Sequence, residues 1–295
     1  MNIHKLKILL AISDFKTLTR TAKETGYTQS GISNIIKSIE EDIGFPLLHR
    51  LRSGVTLTDE AQRLVPIIRE LENGNEQLRQ VIAEIKGVQT GTVRIASVTS
   101  VSLRWLPKIF KRFQADYPNI AIKLYQSGDQ EALKWLEECR VDLVFCCEQS
   151  KTEYEWLPLI HDELVAVLPE KHPLAEQAFF PLAAFSNRFF VMMPEDYHYE
   201  TRRVFEKFQI TPNIQFYATD DNTTIAMVEE GLGLSILSKI ILKENAHRKV
   251  KFLTLNPPCP RILGIALRLN QPPSPAAQKF IAVSKMVMKE QSDTQ

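Results

Sequence analysis

The sequence predicts an α/β fold preceded by an all-α winged helix-turn-helix domain and a long linker helix. Near the N-terminus, two short helical segments are separated by a glycine turn. Between residues 58 and 88, apolar side chains recur every three or four positions. Beyond residue 91, short apolar strands alternate with amphipathic helices, which is typical of two Rossmann-like subdomains. A chain of 295 residues is long enough for several separate cores.

The first predicted element is a helix over residues 3–13, whose leucines face the two helices that follow. Gly26 ends the second helix, because glycine adopts the left-handed conformation of a helix C-terminus without a Cβ clash. Thr28 is the expected N-cap of the third helix, since its hydroxyl can accept a hydrogen bond from an unpaired backbone N–H. These segments predict a helix-turn-helix between residues 18 and 41.

The third helix has one apolar and one polar face. Ile32, Ile36 and Ile39 recur at helical spacing and predict the buried face. On the opposite face, glutamine and asparagine can pair with adenine, and lysine can neutralise a phosphate. An ordinary amphipathic surface helix is the alternative for this window alone. The predicted DNA contacts of this helix are Thr28, Gln29, Ser30, Ser33, Asn34 and Lys37.

Residues 46–57 predict a two-stranded wing around a tight turn at Ser53-Gly54. Arg50 and Arg52 lie on this wing, where we expect them to contact phosphates or the minor groove. The net charge of the whole chain is only +1, so any attraction to DNA must come from such local clusters of basic residues.

The segment from Thr58 to about Val88 predicts one long helix with an apolar seam. The seam positions are alternately four and three residues apart, which is the spacing of a coiled coil. Asn75 within the seam would fix register and partner number. We therefore expect two chains to pair here, and a helix lying on its own domain is the alternative. The predicted dimerisation residues are Leu64, Ile68, Leu71, Asn75, Leu78, Ile82 and Ile85.

Two α/β subdomains are expected after a hinge at residues 87–91. The first has strands over 92–96, 120–125 and 141–147 and helices over 103–117 and 130–138, which predicts a parallel sheet. The second has strands over 164–169, 189–193, 214–218 and 234–237 and helices over 201–208 and 221–230. Strand 262–268 and helix 275–290 return to the first, so two strands should cross between the subdomains.

These elements predict four domain assignments along the chain. They are residues 1–58 for the winged helix-turn-helix, 59–88 for the linker helix, 92–161 with 269–295 for subdomain I, and 162–268 for subdomain II.

In open α/β sheets, ligands bind beyond the carboxyl ends of the strands. Hydroxyl groups at such positions suit a small anionic ligand, whereas Asp129 and Asp220 would oppose one, so the charge of the ligand stays open. The alternative for each residue is a loop-capping role without a ligand. The predicted effector-binding residues are Thr99, Ser100, Asp129, Cys146, Tyr197, Thr219 and Asp220.

Other chemistries lack the motifs that they need. Six histidines are scattered without metal-ligand spacing, and there is no P-loop, G-x-S-x-G or zinc-hydrolase motif. Gly231-Leu232-Gly233 precedes a strand and lacks the third glycine of a dinucleotide loop. We therefore expect no catalytic residues, no metal and no cofactor other than a small-molecule co-inducer.

Four cysteines without framework spacing indicate free thiols in a reducing compartment. Cys146 and Cys147 raise the hypothesis of a redox sensor, and the alternative is that they are apolar packing residues. No apolar run is long enough to span a bilayer and no signal peptide is recognisable, so we expect a cytoplasmic protein that does not bind membranes.

The N-terminal sequence resembles that of the LysR-type transcriptional regulators along the whole DNA-binding domain. The matching positions are residues 6–11, Thr19, Ala22, Thr28-Gln29-Ser30, Ser33, Ile39-Glu40, Gly44, Pro46-Leu47, Arg50 and Leu57-Thr58. The departures, none of which removes a DNA-facing group, are Asp14-Phe15-Lys16, Thr21, Leu48 and Ala61. Residues 228–234 also match the family, although Ser238 stands where proline is common.

The resemblance implies both a fold and a function. Two subdomains like those of periplasmic solute-binding proteins would hold an effector in their cleft, with Thr99, Ser100, Asp129 and Thr219 as contacts. Homodimers or homotetramers would bind double-stranded DNA at a near-palindromic promoter site, and an activator would also contact RNA polymerase. A solute-binding or enzymatic α/β protein whose N-terminal helices only dimerise is the alternative from another class.

Overall fold

The computed structural model describes residues 3–51, 54–148, 153–194, 199–245 and 247–292. The chain forms two compact units, residues 1–88 with 138–140, and residues 89–137 with 141–295. The first contains helices and a wing, and the second contains mixed α/β structure, so the predicted fold class is confirmed. The four domain assignments stay predictions. Within the described ranges, no helix is long and apolar enough to cross a membrane.

The first unit consists of three short helices, a two-stranded wing and a long helix. They are α1 (Ile3–Phe15), α2 (Leu18–Thr25), α3 (Gln29–Ile43), β1 (Leu48–Leu51), β2 (Gly54–Leu57) and α4 (Asp59–Ile85). Leu9, Ile32 and Ile36 lie in the core that these elements share. Gly26 has a φ of 74° and allows the sharp turn into α3. One face of α3 is therefore fixed by apolar packing.

The long helix α4 begins at a well-formed cap. The Thr58 hydroxyl accepts a hydrogen bond from the Ala61 backbone N–H at 3.2 Å and donates one to the Pro46 carbonyl at 3.0 Å. Pro66 lies beyond the first turn, and α4 is continuous across it. Because this hydrogen bond joins Thr58 to Pro46, at the start of the wing, the N-terminus of α4 is held against the wing.

The second unit begins with the expected parallel strands. The elements are β3 (Gly91–Ser97), α5 (Thr99–Arg104), α6 (Leu106–Asp116), β4 (Ile120–Gln126), α7 (Asp129–Glu137) and β5 (Leu143–Cys147). Strand β3 pairs in parallel with both β4 and β5. The single helix predicted over 103–117 is wrong in detail, because Trp105 separates α5 from α6 and Pro107 lies in the first turn of α6.

Two strands are much longer than the sequence predicted. β6 (Tyr154–Pro169) and β11 (Val250–Arg268) pair antiparallel along nearly their whole length. The predicted starts at 164 and 262 were too late, because prolines at 158, 257, 258 and 260 interrupt the alternation that marks a strand. The expected crossing is therefore a continuous strand pair, whose two ends enter different apolar cores.

The remaining elements complete one mixed sheet and a small second sheet. They are β7 (Phe180–Pro181), β8 (Phe189–Met192), α8 (Tyr199–Phe208), β9 (Asn213–Tyr217), α9 (Asp221–Glu229), β10 (Ser235–Ser238) and α10 (Pro275–Ser292). Short 3-10 turns follow β7 and β10. The main sheet has the order β10-β6-β11-β5-β3-β4, with β7 beside β11, and β8 pairs in parallel with β9. The carboxyl ends of β3 and β5 thus meet near the crossing strands.

Candidate functional site

The exposed face of α3 carries the side chains that the sequence predicted for DNA. Gln29, Ser30, Asn34 and Lys37 are exposed, and Ser33 is half-buried. Thr28 is exposed too, but its hydroxyl accepts a hydrogen bond from the Gly31 N–H at 3.0 Å, so it acts first as the N-cap. The Lys37 ammonium lies 3.7 Å from the Glu41 carboxylate one turn later. This face is polar, carries little net charge and is free in the single chain.

Of the two wing arginines, only the backbone of Arg50 lies within the described residues. Arg50 lies on β1, opposite Val55 of β2, but its side chain lies outside the described residues. Arg52 lies wholly outside them. Their role toward DNA therefore stays a prediction.

The seam of α4 divides into a buried and an exposed part. Leu64 and Ile68 pack against the core of the first unit, and Ile68 is only 6% exposed. Leu71, Leu78, Ile82 and Ile85 are exposed and lie along one side of the helix, and Ile85 is 81% exposed. Asn75 is half-buried. Two of the seven predicted seam residues thus stabilise their own domain, and four form an apolar stripe in the single chain.

A cavity of about 30 Å³ lies at the carboxyl ends of β3 and β5. It is lined by Val98, Thr99, Ser100, Ser127, Gly128, Asp129, Cys147, Met193, Glu200, Asp221, Ser238 and Arg261. The volume suffices for about two water molecules. A larger molecule must therefore displace side chains or widen the cleft.

A buried ion network forms one wall of this cavity. Arg261 donates from Nε to the Asp162 carboxylate at 2.5 Å and from Nη1 to the Glu200 carboxylate at 2.6 Å. Ser238 donates a further hydrogen bond to Asp162 at 2.7 Å. The Arg261 side chain is 7% exposed, and its Nη2 has no hydrogen-bond partner among the described residues. The wall therefore retains buried N–H groups that can still donate.

Asp129 is the second buried polar group with an unused atom. It begins α7, is 5% exposed, and its Oδ1 has no hydrogen-bond partner in the described part of the chain. Burial, followed by the negative charge of Glu200, raises the pKa of Asp129 to about 7. The positive charge of Arg261 and a hydrogen bond from the Cys147 backbone oppose this shift. Asp129 is therefore poised between its neutral and ionised forms near neutral pH.

The structure places the predicted effector residues in different locations. Thr99, Ser100 and Asp129 line the cavity together. Cys146 does not, because side chains alternate across a strand and its own lies in the apolar cluster under α7. Thr219 is exposed, and Asp220 caps α9 through the Thr223 N–H at 2.9 Å, so the adjacent Asp221 lines the cavity in its place. Tyr197 lies outside the described residues.

The two thiols show the features of packing residues. Cys146 and Cys147 are buried, and burial raises the pKa of both thiols well above its usual value. Reactive cysteines need a lowered pKa and access to solvent. Both observations therefore count against the redox-sensor hypothesis. No cluster of His, Cys, Asp and Glu in the described ranges could hold a metal ion.

Sequence analysis missed Glu200, Arg261 and Asp162, which contribute most of the charge at the cavity. Asp162 and Arg261 each lie two residues before a strand segment that is apolar and buried, at Leu164–Leu168 and Leu263–Leu267. Lone charges beside such segments are rarely buried unless they are paired. The two predicted crossing strands have opposite charges beside them. This was the available indication of a buried ion pair.

A second, wider cavity of about 690 Å³ lies on another side of the same ion network. Glu200 and Arg261 line both cavities. The second one is otherwise bounded by α8 side chains such as Val204 and Phe208 and by Pro258 and Pro260 of β11. The Arg261–Glu200 pair is therefore a partition between two spaces.

Two family models match this chain. The model described as "Bacterial regulatory helix-turn-helix protein, lysR family" matches residues 3–62. The model described as "LysR substrate binding domain" matches residues 86–289. Together they match residues in both compact units.

Whole-length relatives agree with these matches. The HTH-type transcriptional regulator YvbU of Bacillus subtilis (strain 168) is 28% identical over 97% of this chain and 98% of its own. A full-length OxyR variant from Pseudomonas aeruginosa has a similar fold, with a TM-score of 0.75 at 15% identity, covering 98% of this chain and 95% of its own. The effector-binding domain of QuiR in complex with shikimate gives a TM-score of 0.63 at 24% identity, covering 68% of this chain and 99% of its own.

Proposed function

Because the chain belongs to the LysR family of bacterial transcriptional regulators, we propose that it binds a near-palindromic promoter site as a homodimer or homotetramer, under the control of a small effector. It is a DNA-binding regulator and not an enzyme. The alternative of a solute-binding or enzymatic protein with a helical dimerisation domain is therefore rejected. Its place of action would be the cytoplasm, and RNA polymerase would be a further partner if it activates.

One observation carries the DNA-binding part of the proposal. Three of the five isoleucines of α3 are buried, while Gln29, Asn34 and Lys37 on its other face are exposed. A helix held in this way can enter the major groove with its N-terminal residues toward the bases. Glutamine and asparagine would select adenine, and Lys37 would bind a phosphate.

The exposed stripe of α4 supports pairing of two chains. Leu78 and Ile82 lie on the same side of the helix and are 58% and 43% exposed. A second α4 would bury them and present two recognition helices to one face of the duplex. Half-sites would then lie about one helical turn apart or a multiple of it.

Gel-shift titration on promoter fragments tests the DNA part. We expect affinity to fall steeply with salt, and scrambling one half of the near-palindrome to weaken binding far more than changing flanking bases. Lys111→Ala, on the exposed surface of α6, is the control and should bind like the wild type. Equal affinity for every duplex would contradict the proposal.

Sedimentation of a Leu78→Asp variant tests pairing through α4. A buried charge in the stripe should shift the dimer towards monomer. Arg79→Asp places the same side chain about 100° around the helix and should leave the dimer intact. If the two variants sediment alike, this stripe is not the interface.

The effector part rests on the cavity at the ends of β3 and β5. Buried atoms of Asp129 and Arg261 without partners are costly unless a ligand or water satisfies them. A bound effector would bias two pre-existing arrangements of the subdomains and so change DNA geometry. DNA affinity measured with and without small molecules that raise the melting temperature tests this coupling.

A further inference from the structure

The charges around the cavity of the second unit are unequal in number. Among the described residues that line it, Asp129, Glu200 and Asp221 carry carboxyl groups and Arg261 carries a guanidinium. Arg261 is itself already paired with Glu200 and with Asp162 behind it. The excess of carboxylates opposes an anionic ligand and favours a cationic group.

Two buried atoms at the cavity have no hydrogen-bond partner among the described residues, and one is an acceptor while the other is a donor. Asp129 Oδ1 is a buried acceptor, and Arg261 Nη2 is a buried donor. A ligand that satisfies both must donate at one end and accept at the other. A protonated amine is the strongest donor for a carboxylate, and a carboxylate or carbonyl oxygen is the matching acceptor for a guanidinium.

Building on the proposed effector function, we propose that the effector is a small molecule with a protonated amine and a nearby acceptor oxygen, as in an α-amino acid. The amine lies against Asp129 on the side of Asp221, and the acceptor oxygen accepts hydrogen bonds from Nη2 of Arg261. Thr99, Ser100 and Ser238 supply hydroxyl groups for the remaining polar atoms. Because the cavity holds only about two water molecules, even an amino acid with the shortest side chain requires the cleft to widen.

This assignment has a consequence for pH. Among the described residues, the Asp129 carboxyl faces Glu200 on α8, Arg261 on β11 and the thiols of Cys146 and Cys147 on β5, and Asp221 on α9 lines the same cavity. A cation binds the ionised form of Asp129, so binding releases a proton whenever that carboxyl is protonated beforehand. Amine binding should therefore weaken by up to about tenfold from about pH 8 to pH 6, because the pKa of Asp129 is about 7.

The test is a thermal-shift screen of the full chain with the standard amino acids, followed by calorimetric titration of those that raise the midpoint. Each active amino acid is paired with the acid that lacks its amine. We expect the deaminated acid to bind at least tenfold more weakly. Asp129→Asn should abolish the shift, and Asp221→Asn should reduce it. Asp116→Asn, which alters an exposed carboxylate on α6, should leave it unchanged.

The possible outcomes distinguish failure of the amine assignment from failure of the proposed effector-controlled DNA binding. If a deaminated acid binds as tightly as its amino acid, or if Asp129→Asn binds like the wild type, the amine assignment is overturned. Loss of that binding in Ser100→Val would still support an effector in the cavity. If no amino acid raises the midpoint, the assignment also fails. The DNA-binding part is decided independently, by the gel shifts on half-site variants.

Discussion

The recognition face of α3 and the cavity of the second unit both carry polar side chains, but they do so in opposite ways. On α3 the side chains come from one helix and most of them are exposed to solvent. At the cavity they come from α5, α7, α8, α9, β10 and β11, and several are buried. Substitutions on the first surface should therefore alter binding without altering stability, whereas substitutions in the second should alter both.

The largest effect should follow from Arg261→Ala. Removing the guanidinium leaves Asp162 and Glu200 buried without a counter-charge, which we expect to cost about 3–5 kcal/mol of unfolding free energy. Urea denaturation measures this loss. Arg112→Ala breaks the exposed pair with Asp116 and should cost less than about 1 kcal/mol. Similar losses of unfolding free energy in the two variants would contradict the claim that the buried ion pair matters more for stability than the exposed one.

Asp129→Asn should change how stability depends on pH. The folded-state pKa of about 7 lies above the ordinary value of 3.8, so this carboxyl contributes stability below about pH 4 and loses it as the pH rises through 7. The loss amounts to up to about 4 kcal/mol. The variant should therefore be more stable than the wild type at pH 8 and show no such advantage at pH 4. Parallel pH profiles of the two urea midpoints would show that the carboxyl is not buried as described.

On the recognition face, Gln29→Ala should weaken specific DNA binding by about 1–3 kcal/mol and reduce discrimination between bases, because a base contact is lost. Its urea midpoint should stay that of the wild type, since Gln29 is exposed. Lys37→Ala is the matched comparison. It should weaken binding to all duplexes alike and lower the salt slope by about one. Equal effects on specific and random duplexes in both variants would contradict base reading by α3.

The smallest effect should come from Glu41→Gln. The Lys37–Glu41 pair is exposed at both ends and 3.7 Å apart, so its loss should change stability by less than about 0.5 kcal/mol. Freed from its neighbour, Lys37 should bind phosphate slightly more tightly, and affinity for random DNA should rise by less than about threefold. A fall in that affinity would indicate that Glu41 positions the lysine.

The same contrast explains how much the sequence could predict. The face of α3 follows from the positions of Ile32 and Ile36, because a helix fixes the direction of every side chain relative to its neighbours. The parallel strands β3, β4 and β5 were predicted nearly as well, since they are short and mostly apolar. Three of the seven predicted effector residues, Thr99, Ser100 and Asp129, line the cavity because they follow strand ends, as the general rule requires.

Arg261 and Glu200 could not be found in this way. Their roles depend on the pairing of β11 with β6, which brings Arg261 to Asp162, 99 positions away in sequence. They also depend on the packing of α8, which brings Glu200 to Arg261, 61 positions away. Cys146 was misassigned for a smaller reason, since one residue along a strand reverses the direction of the side chain. Long-range pairing and strand register are the two properties that local patterns do not contain.

Asp162 and Arg261 face each other in register on β6 and β11. On one side of that pair, residues of β6 such as Leu157 and Ile160 pack into one core, and on the other side Leu164 and Ala166 pack into another. The ion pair therefore lies between the two apolar cores of the second unit. The proposed effector would contact the guanidinium of Arg261, so its binding would act directly on both crossing strands, which are held together at this point by the Arg261–Asp162 ion pair.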